Sequence, residues 1–160
     1  MKGEVFLSLF NENDLNRLFE IQSDADLAKA RQAKMVAKNQ SQVSQWLASK
    51  SELQSPSNFC LGVRDKISLE LIGYVSLKRF NEQDNVGEVG IVLQSSLRKG
   101  AGSLAIKLLE LLSSESFGYE YFVAKVSLEN TIAISFFKKN DYVQIDLTDS
   151  NVIFQKSLDS

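Results

Sequence analysis

The chain has 160 residues, of which 44% are hydrophobic and 24% charged, and its formal net charge is −2. This length supports one domain with its own core, so we treat residues 1–160 as a single domain. The composition excludes a disordered chain and offers no basic surface for general nucleic-acid binding. No apolar run approaches the ~20 residues of a membrane-spanning helix. We therefore expect neither a nucleic-acid nor a membrane partner.

The counts of histidine and cysteine restrict the chemistry further. With no histidine, Ser-His-Asp and Cys-His catalytic sets are excluded, and with one cysteine no ligand set for a metal is predicted. Acid–base steps must then use carboxylates, tyrosine, lysine or water. Cys60, in the apolar run "NFCLGV", cannot form a disulfide within the chain. We expect a buried structural thiol in a reducing cytoplasm.

The first third of the sequence is mainly helical in pattern. Trp46 is predicted to pack within this section, or alternatively to line a substrate pocket, and Pro56 closes it. The predicted elements are a strand over 3–10, a helix capped by Asn13 and running to about Ile21, a helical stretch over 24–38, and a helix starting near Asn39 or Ser41.

In the remainder of the sequence, the helical pattern of apolar residues gives way to short β-type runs separated by turns. Their spacing is too short for crossovers, which predicts an antiparallel meander over the first three. The predicted elements are strands over 58–65, 69–80 and 86–93, a helix ending at Gly118, a strand over 121–128, a helix over 130–140, and a final strand pair. This order predicts an α/β (α+β) fold with a mixed, largely antiparallel central sheet of about seven strands flanked by helices.

The segment "SLRKGAGSLAIKLLELL" combines a strong helix with two glycines at its start. Leucines 104, 108, 111 and 112 recur at helical spacing and are predicted to form its buried face. A helix N-terminus presents N–H groups without partners, and glycine lets an anion approach the backbone. Gly100 and Gly102, preceded by Arg98 and Lys99, therefore predict a phosphate site. A plain turn with solvated cations is the alternative.

The same residues also fit the dinucleotide pattern G-x-G-x-x-A, with Glu129 as the later acid. That pattern directly follows a strand in an early βαβ unit, whereas here residues 94–99 intervene after a meander. A dinucleotide-binding oxidoreductase is thus the weaker interpretation.

The strand–glycine loop–helix segment together with "VAKVSLENTIAISFFKKNDY" resembles the core of the GNAT superfamily of acyl-CoA-dependent N-acetyltransferases. The family pattern is Q/R-x-x-G-x-G/A at a helix start, followed by N-x-x-A-x-x-x-Y-x-x-x-G-F. Four residues match it, Gly100, Gly102, Asn130 and Ala133, and the resemblance spans about residues 58–142. The N-terminal section is most similar to the branches that acetylate ribosomal-protein N-termini and nucleotide-linked amino sugars.

The resemblance implies acetyl-CoA as co-substrate and a set of residues that bind it. The pyrophosphate would lie on the backbone amides of Arg98, Lys99, Gly100, Ala101, Gly102 and Ser103. The strand backbone near Ile91 and Val92 would pair with the pantetheine arm and polarise the thioester carbonyl. Asn130 would cap its helix and touch the cofactor.

The implied reaction is direct attack of a primary amine on the thioester in a ternary complex. Glu88 is the candidate base because strand alternation places it on the same face as Gly90 and Val92. Glu120 and Glu129 are weaker candidates, and deprotonation through water is a further alternative.

Three positions depart from the family pattern. Leu97 replaces Gln or Arg, and Asp141-Tyr142 replaces Gly-Phe. Phe137 stands at the cofactor-side position where the family has a tyrosine that protonates the departing thiolate. Tyr142 or Ser135 could supply this proton, although a thiol leaves as thiolate without a strong acid. A packed Phe136–Phe137 pair is the other interpretation of this position.

The sequence therefore predicts a cytoplasmic N-acetyltransferase acting on the amine of a peptide, an amino sugar or a small molecule. A non-catalytic CoA-binding module is the alternative that the Phe137 substitution raises. A homodimer through an edge strand or the C-terminal strand is compatible with this architecture.

Overall fold

The computed structural model describes residues 4–23, 40–52, 55–94 and 100–158. The predicted helical stretch 24–38 and the residues Leu97, Arg98 and Lys99 lie outside these ranges. The strands are β1 (Val5–Ser8), β2 (Asn58–Asp65), β3 (Leu71–Arg79), β4 (Val86–Leu93), β5 (Tyr121–Ser127), β6 (Val143–Leu147) and β7 (Asn151–Ser157). The α-helices are α1 (Leu15–Gln22), α2 (Gln40–Glu52), α3 (Ala101–Phe117) and α4 (Thr131–Lys139).

All seven strands belong to one sheet, in the order β1-β2-β3-β4-β5-β7-β6. Every neighbouring pair is antiparallel except β4 and β5, which are parallel and connected through α3. Short turns are sufficient for the β2-β3-β4 meander, whereas the parallel pair requires a crossover helix. The predicted fold class, a mixed and largely antiparallel sheet flanked by helices, is confirmed.

The sheet carries a hydrophobic cluster on each face. On one face, Leu18 and Ile21 of α1 and Val43 of α2 pack against Cys60 and Val92. Alternate residues of the same strands point to the opposite face, where they meet α3 in the larger cluster. Cys60 is buried, as predicted. The helical layer thus covers Val92, while Glu88 and Gly90, on the same face, line a cavity beside it.

Helix α3 contacts the sheet through a different face from the one predicted. Leu111 is 53% exposed, and Leu104 and Leu108 only flank the core. Two of the buried positions, Ala101 and Ala105, are small and let the helix axis approach the strands closely. The buried residues of α3 are Ala101, Ala105, Ile106, Leu109 and Ser113. The predicted end of the helix is confirmed, since Gly118 follows it at φ +75°.

The ends of two helices are fixed by asparagine side chains. Asn11, rather than the predicted Asn13, caps the helical turn that leads into α1: its Oδ1 accepts from Asn13 N at 2.8 Å. Asp14 Oδ2 accepts from Asn11 N at 2.8 Å, which completes a capping box. The predicted cap of α4 is confirmed, with Asn130 Oδ1 accepting from Ala133 N at 3.1 Å.

Candidate active site

Strands β4 and β5 pair over only part of their length. Their ladder has three register pairs, from Val86↔Tyr121 to Glu88↔Val123. β4 continues to Leu93 and β5 to Ser127 beyond the last pair. No further ladder pair joins them within the described ranges, so β4 separates from β5 after Glu88, and we call the space between the two strands the cleft.

The backbone of Ile91 faces this cleft. Phe80 N donates to Val86 O at 2.8 Å, and Gln94 N donates to Ile72 O at 3.0 Å. These two bonds fix the β3–β4 ladder so that the even-numbered residues of β4 bond to β3. Since alternate residues of an antiparallel ladder bond to opposite sides, the N–H and C=O of Ile91 point toward the side from which β5 has diverged.

Helix α3 begins just after β4 with a glycine in a left-handed conformation. Gly100 has φ +82°, and a Cβ built on it would meet no atom within 4 Å. Leu104 N donates to Gly100 O at 3.0 Å, which is the first helical hydrogen bond, and no side-chain cap bond is made at Gly100. The N–H groups of Ala101, Gly102 and Ser103 precede that first bond and so have no intrahelical acceptor. Ala101 is nevertheless fully buried as a side chain.

Glycine is needed at position 102 for a different reason from that at position 100. A Cβ at Gly102 would lie 2.9 Å from Cε1 of Phe136 on α4. The missing side chain therefore lets α4 pack against the first turn of α3. The sequence-based explanation that both glycines make room for an anion is thus too simple, because only the space at Gly100 is open.

A family model described as "Acetyltransferase (GNAT) domain" matches residues 4–143. The chain belongs to the GNAT acetyltransferase family. This membership replaces the dinucleotide interpretation, which the antiparallel β3–β4 pair ahead of α3 also disfavours. No curated protein matches the chain by sequence.

Solved structures of GNAT proteins have the same fold. An acetyltransferase of the GNAT family from Bacillus anthracis has a TM-score of 0.84 at 13% identity, covering 99% of this chain and 97% of that one. Spermidine N-acetyltransferase from Vibrio cholerae, solved with CoA and spermine, gives 0.79 at 14% identity, covering 96% and 95%. An aminoglycoside acetyltransferase solved with coenzyme A gives 0.76 at 20% identity, covering 96% and 95%. At these identities the similarity establishes the fold alone.

In this GNAT chain the aromatic ring of Phe137 is part of the core. It is 4% exposed and contacts Phe136 edge-to-face at 5.2 Å between ring centroids, Tyr142 at 5.0 Å and Phe154 at 6.2 Å. The packed Phe136–Phe137 pair considered from the sequence is confirmed. Phe137 is therefore a core residue, and Ser135 lies on the exposed side of the same helix.

The hydroxyl of Tyr142 is directed into the protein. It donates to Glu110 Oε2 at 2.8 Å, and Lys156 Nζ lies 2.9 Å from Glu110 Oε1. Burial, and secondarily the neighbouring Glu110 carboxylate, raises the pKa of Tyr142 well above its ordinary value. A proton held this firmly is poorly suited to transfer to a thiolate. We therefore do not retain Tyr142 as the acid.

Glu88 lies at the point where the two strands separate. Its side chain is 26% exposed, and its Oε1 lies 4.0 Å from Nζ of Lys78, its register partner on β3. Glu88 borders a cavity of about 220 Å³ on the face shared with Gly90. The cavity is lined by Asn58, Ser76, Leu77, Lys78, Glu88, Val89 and Gly90.

Three of these lining residues, Asn58, Ser76 and Lys78, were not singled out from the sequence. A signal for them existed, since Ser76 and Lys78 alternate in "VSLKR" just as Glu88 and Gly90 alternate in "GEVG". Only the register shows that these alternations meet on one face. Among the helices of the described ranges, none is long and apolar enough to cross a membrane.

Proposed function

We propose that the protein transfers the acetyl group of acetyl-CoA to a primary amine by direct attack in a ternary complex. The amine nitrogen forms a bond to the thioester carbonyl carbon, the carbon–sulfur bond breaks, and the electron pair leaves with sulfur as CoA thiolate. An amine that starts as the ammonium loses two protons: one before the attack, and a second as the amide forms, which passes to the departing thiolate or to water. Family membership supports this proposal. The structural observation in this chain on which it mainly depends is the end of the β4–β5 ladder at Glu88.

The cleft and the start of α3 fit an extended thioester with a diphosphate. Acetyl-CoA supplies the activated acyl group. The N–H of Ile91 would donate to a carbonyl oxygen of acetyl-CoA lying along β4. In a continuous sheet, a carbonyl oxygen of the neighbouring strand would accept this hydrogen bond. The amides of Ala101, Gly102 and Ser103 would hold the diphosphate, assisted by the positive end of the helix dipole. Arg98 and Lys99 would add charge, and Asn130 and Val92 would border the bound molecule.

Glu88 would take the proton of the attacking amine. A lysine-like amine with a pKa near 10.4 is mostly protonated at neutral pH, so attack requires deprotonation. Glu88 lines the cavity and stands one residue before the part of β4 that faces the cleft. The thiolate needs no dedicated acid, since a thiol has a pKa of about 8.5. We propose a cytoplasmic location, which the buried Cys60 supports.

The glycine at the start of α3 provides a test with a matched control. Gly100 and Gly118 both have positive φ, +82° and +75°, and a Cβ at either would meet no atom within 4 Å. Gly100→Val and Gly118→Val should therefore lower the free energy of unfolding similarly, through backbone strain alone. Gly100→Val should also weaken acetyl-CoA binding about tenfold, because the strained residue directly precedes the amides of Ala101, Gly102 and Ser103 and would change their orientation. Calorimetric titration measures the binding, and Gly118→Val should match wild type.

Turnover separates the enzyme from the CoA-binding module. Release of CoA thiol is followed with acetyl-CoA and a panel of peptides, polyamines, amino sugars and amino acids. Acetyl-CoA binding with no thiol release on any amine would favour the binding module. Absence of acetyl-CoA binding, or equal binding by Gly100→Val and wild type, would reject the site.

A further inference from the structure

The cavity beside Glu88 presents opposite charges in one cross-strand row. Asn58, Lys78 and Glu88 are register partners across β2, β3 and β4, and their side chains point to the same face. Ser76 and Gly90 form the adjacent row. A Cβ at Gly90 would lie 2.7 Å from Ser76 Oγ, so this glycine keeps the floor of the cavity open.

The two charged groups are close without being in hydrogen-bond contact. Lys78 Nζ and Glu88 Oε1 are 4.0 Å apart, whereas a hydrogen-bonded ammonium–carboxylate pair is separated by about 2.7–2.9 Å. The Lys78 side chain is 64% exposed. Each group therefore retains hydrogen-bonding capacity for a ligand that enters the cavity.

We propose that the acceptor is an α-amino acid, recognised by Glu88 at its amino group and by Lys78 at its carboxylate. This assignment rests on the proposed acetyl transfer. The amino nitrogen and carboxylate oxygens of an α-amino acid are about 3 Å apart because they share one carbon. The ammonium of the amino acid can therefore lie against Glu88 while its carboxylate lies against Lys78. The α-ammonium gives one proton to Glu88, and the freed amine attacks the thioester carbonyl carbon. The carbon–sulfur bond breaks, the second proton of the nitrogen passes to the thiolate, and CoA leaves as its thiol.

Charge and size distinguish this acceptor from the others. A polyamine would place further cations beside Lys78, which is electrostatically unfavourable. A peptide N-terminus carries a neutral carbonyl where an amino acid has its carboxylate, so it leaves Lys78 without a charged partner. A small acceptor that carries both charges can contact both Lys78 and Glu88 in this cavity.

The test compares amino acids with their decarboxylated counterparts. Thiol release is measured for alanine and ethylamine, leucine and 3-methylbutylamine, and phenylalanine and 2-phenylethylamine, with spermidine and a tripeptide as further acceptors. The amino acid of at least one pair should have a kcat/KM about tenfold higher than its amine, in line with one charge-assisted hydrogen bond. Lys78→Met should bring that ratio toward one.

The control variant is Lys66→Met, which removes an exposed lysine from the β2–β3 turn at the opposite end of β3. It should keep the wild-type ratio. An unchanged ratio in Lys78→Met, or amines and spermidine used as well as every amino acid, would overturn the assignment.

A binding experiment makes the outcome independent of turnover. The same pairs are titrated calorimetrically into CoA-loaded protein, where the amino acid should bind about tenfold more tightly than its amine. Equal binding, or no binding of any amino acid, rejects the acceptor class while leaving acetyl transfer standing. Failure of the protein to bind acetyl-CoA rejects both proposals.

Discussion

The two halves of the sheet, β1 to β4 and β5 to β7, are joined to each other by a ladder shorter than those at their centres. β3 and β4 share seven register pairs, and so do β5 and β7. β4 and β5, between these halves, share three. The residues proposed for catalysis and cofactor binding lie at this junction rather than within either half. The incomplete ladder thus provides both the cleft and the backbone groups that line it.

The two faces of the sheet also differ in what covers them. The interior on the α3 side is aromatic and tightly packed, with Phe122 and Phe154 fully buried. The cavity on the opposite face of β2, β3 and β4 is bordered instead by Ser76, Lys78 and Glu88. Substitutions beside the cavity should therefore alter activity more than stability, and substitutions in the packed interior should do the reverse.

The largest expected effect is on turnover, at the junction. Glu88→Gln keeps the shape of the side chain but removes its basicity, so kcat should fall about 10²–10⁴-fold, as is usual for loss of a general base. The dissociation constant of acetyl-CoA should not change. Steady-state kinetics and calorimetry measure the two quantities separately.

Glu129→Gln serves as the control for this substitution. Glu129 is an exposed carboxylate that follows β5 in sequence, and it should retain wild-type kcat. Wild-type turnover in Glu88→Gln would instead indicate deprotonation through water and would remove Glu88 from the mechanism.

The next largest effect concerns stability within the half formed by β1 to β4. A Cβ at Gly73 would lie 2.1 Å from Val92 O and 2.8 Å from Leu93 Cα, and both contacts are with backbone. Gly73→Ala should therefore lower the free energy of unfolding by about 3 kcal/mol. Urea denaturation measures this change.

Gly90→Ala is the matched substitution beside the cavity. Its Cβ would contact only the Ser76 hydroxyl at 2.7 Å, which can rotate away. The expected loss of stability is below about 1 kcal/mol, with a several-fold decrease in kcat/KM because the cavity is partly filled. Equal destabilisation by the two variants would contradict the distinction between the packed backbone at Gly73 and the open cavity at Gly90.

The smallest effect is expected at Tyr142. Tyr142→Phe removes the hydrogen bond to Glu110 and should cost about 1–2 kcal/mol of stability, with kcat unchanged. Burial and Glu110 raise the pKa of Tyr142 above its ordinary 10.0, so the folded state holds this proton more tightly than the unfolded state. The contribution of the protonated Tyr142 hydroxyl to the free energy of unfolding is complete below about pH 10 and is lost progressively as the pH rises above that value.

Denaturation of both proteins between pH 8 and 11 checks this dependence. The stability difference between wild type and Tyr142→Phe should shrink above about pH 10, because only wild type carries this hydroxyl. A loss of kcat in Tyr142→Phe would restore the acid role that the hydrogen bond to Glu110 argues against.

The elements of the fold could be predicted from local signals. Strand alternation gave β2 and β4 their observed bounds, and Gly118 and Asn130 marked helix ends through their own backbone and side-chain chemistry. The buried face of α3 could not be predicted this way. Its leucines and its small residues repeat with the same helical period, so either set could form the buried face. Close contact between the helix and the sheet is what favours burial of small residues such as Ala105 and Ser113.

The site was predictable where its chemistry is local. The glycine start of α3 and the position of Glu88 on a strand could both be read from short segments. The end of the β4–β5 ladder could not, because the pairs that define it join residues more than 30 positions apart. The hydroxyl contact between Tyr142 and Glu110 spans 32 positions and was missed for the same reason.

The stretch of β4 beyond Glu88 acts as an edge enclosed inside the molecule. An exposed edge would invite strands of other proteins and promote aggregation. Here β5 lies on the other side of the gap, so the proposed cofactor would enter it as an extended chain. A molecule bound there would connect β4 and β5 where the described residues form no ladder pairs.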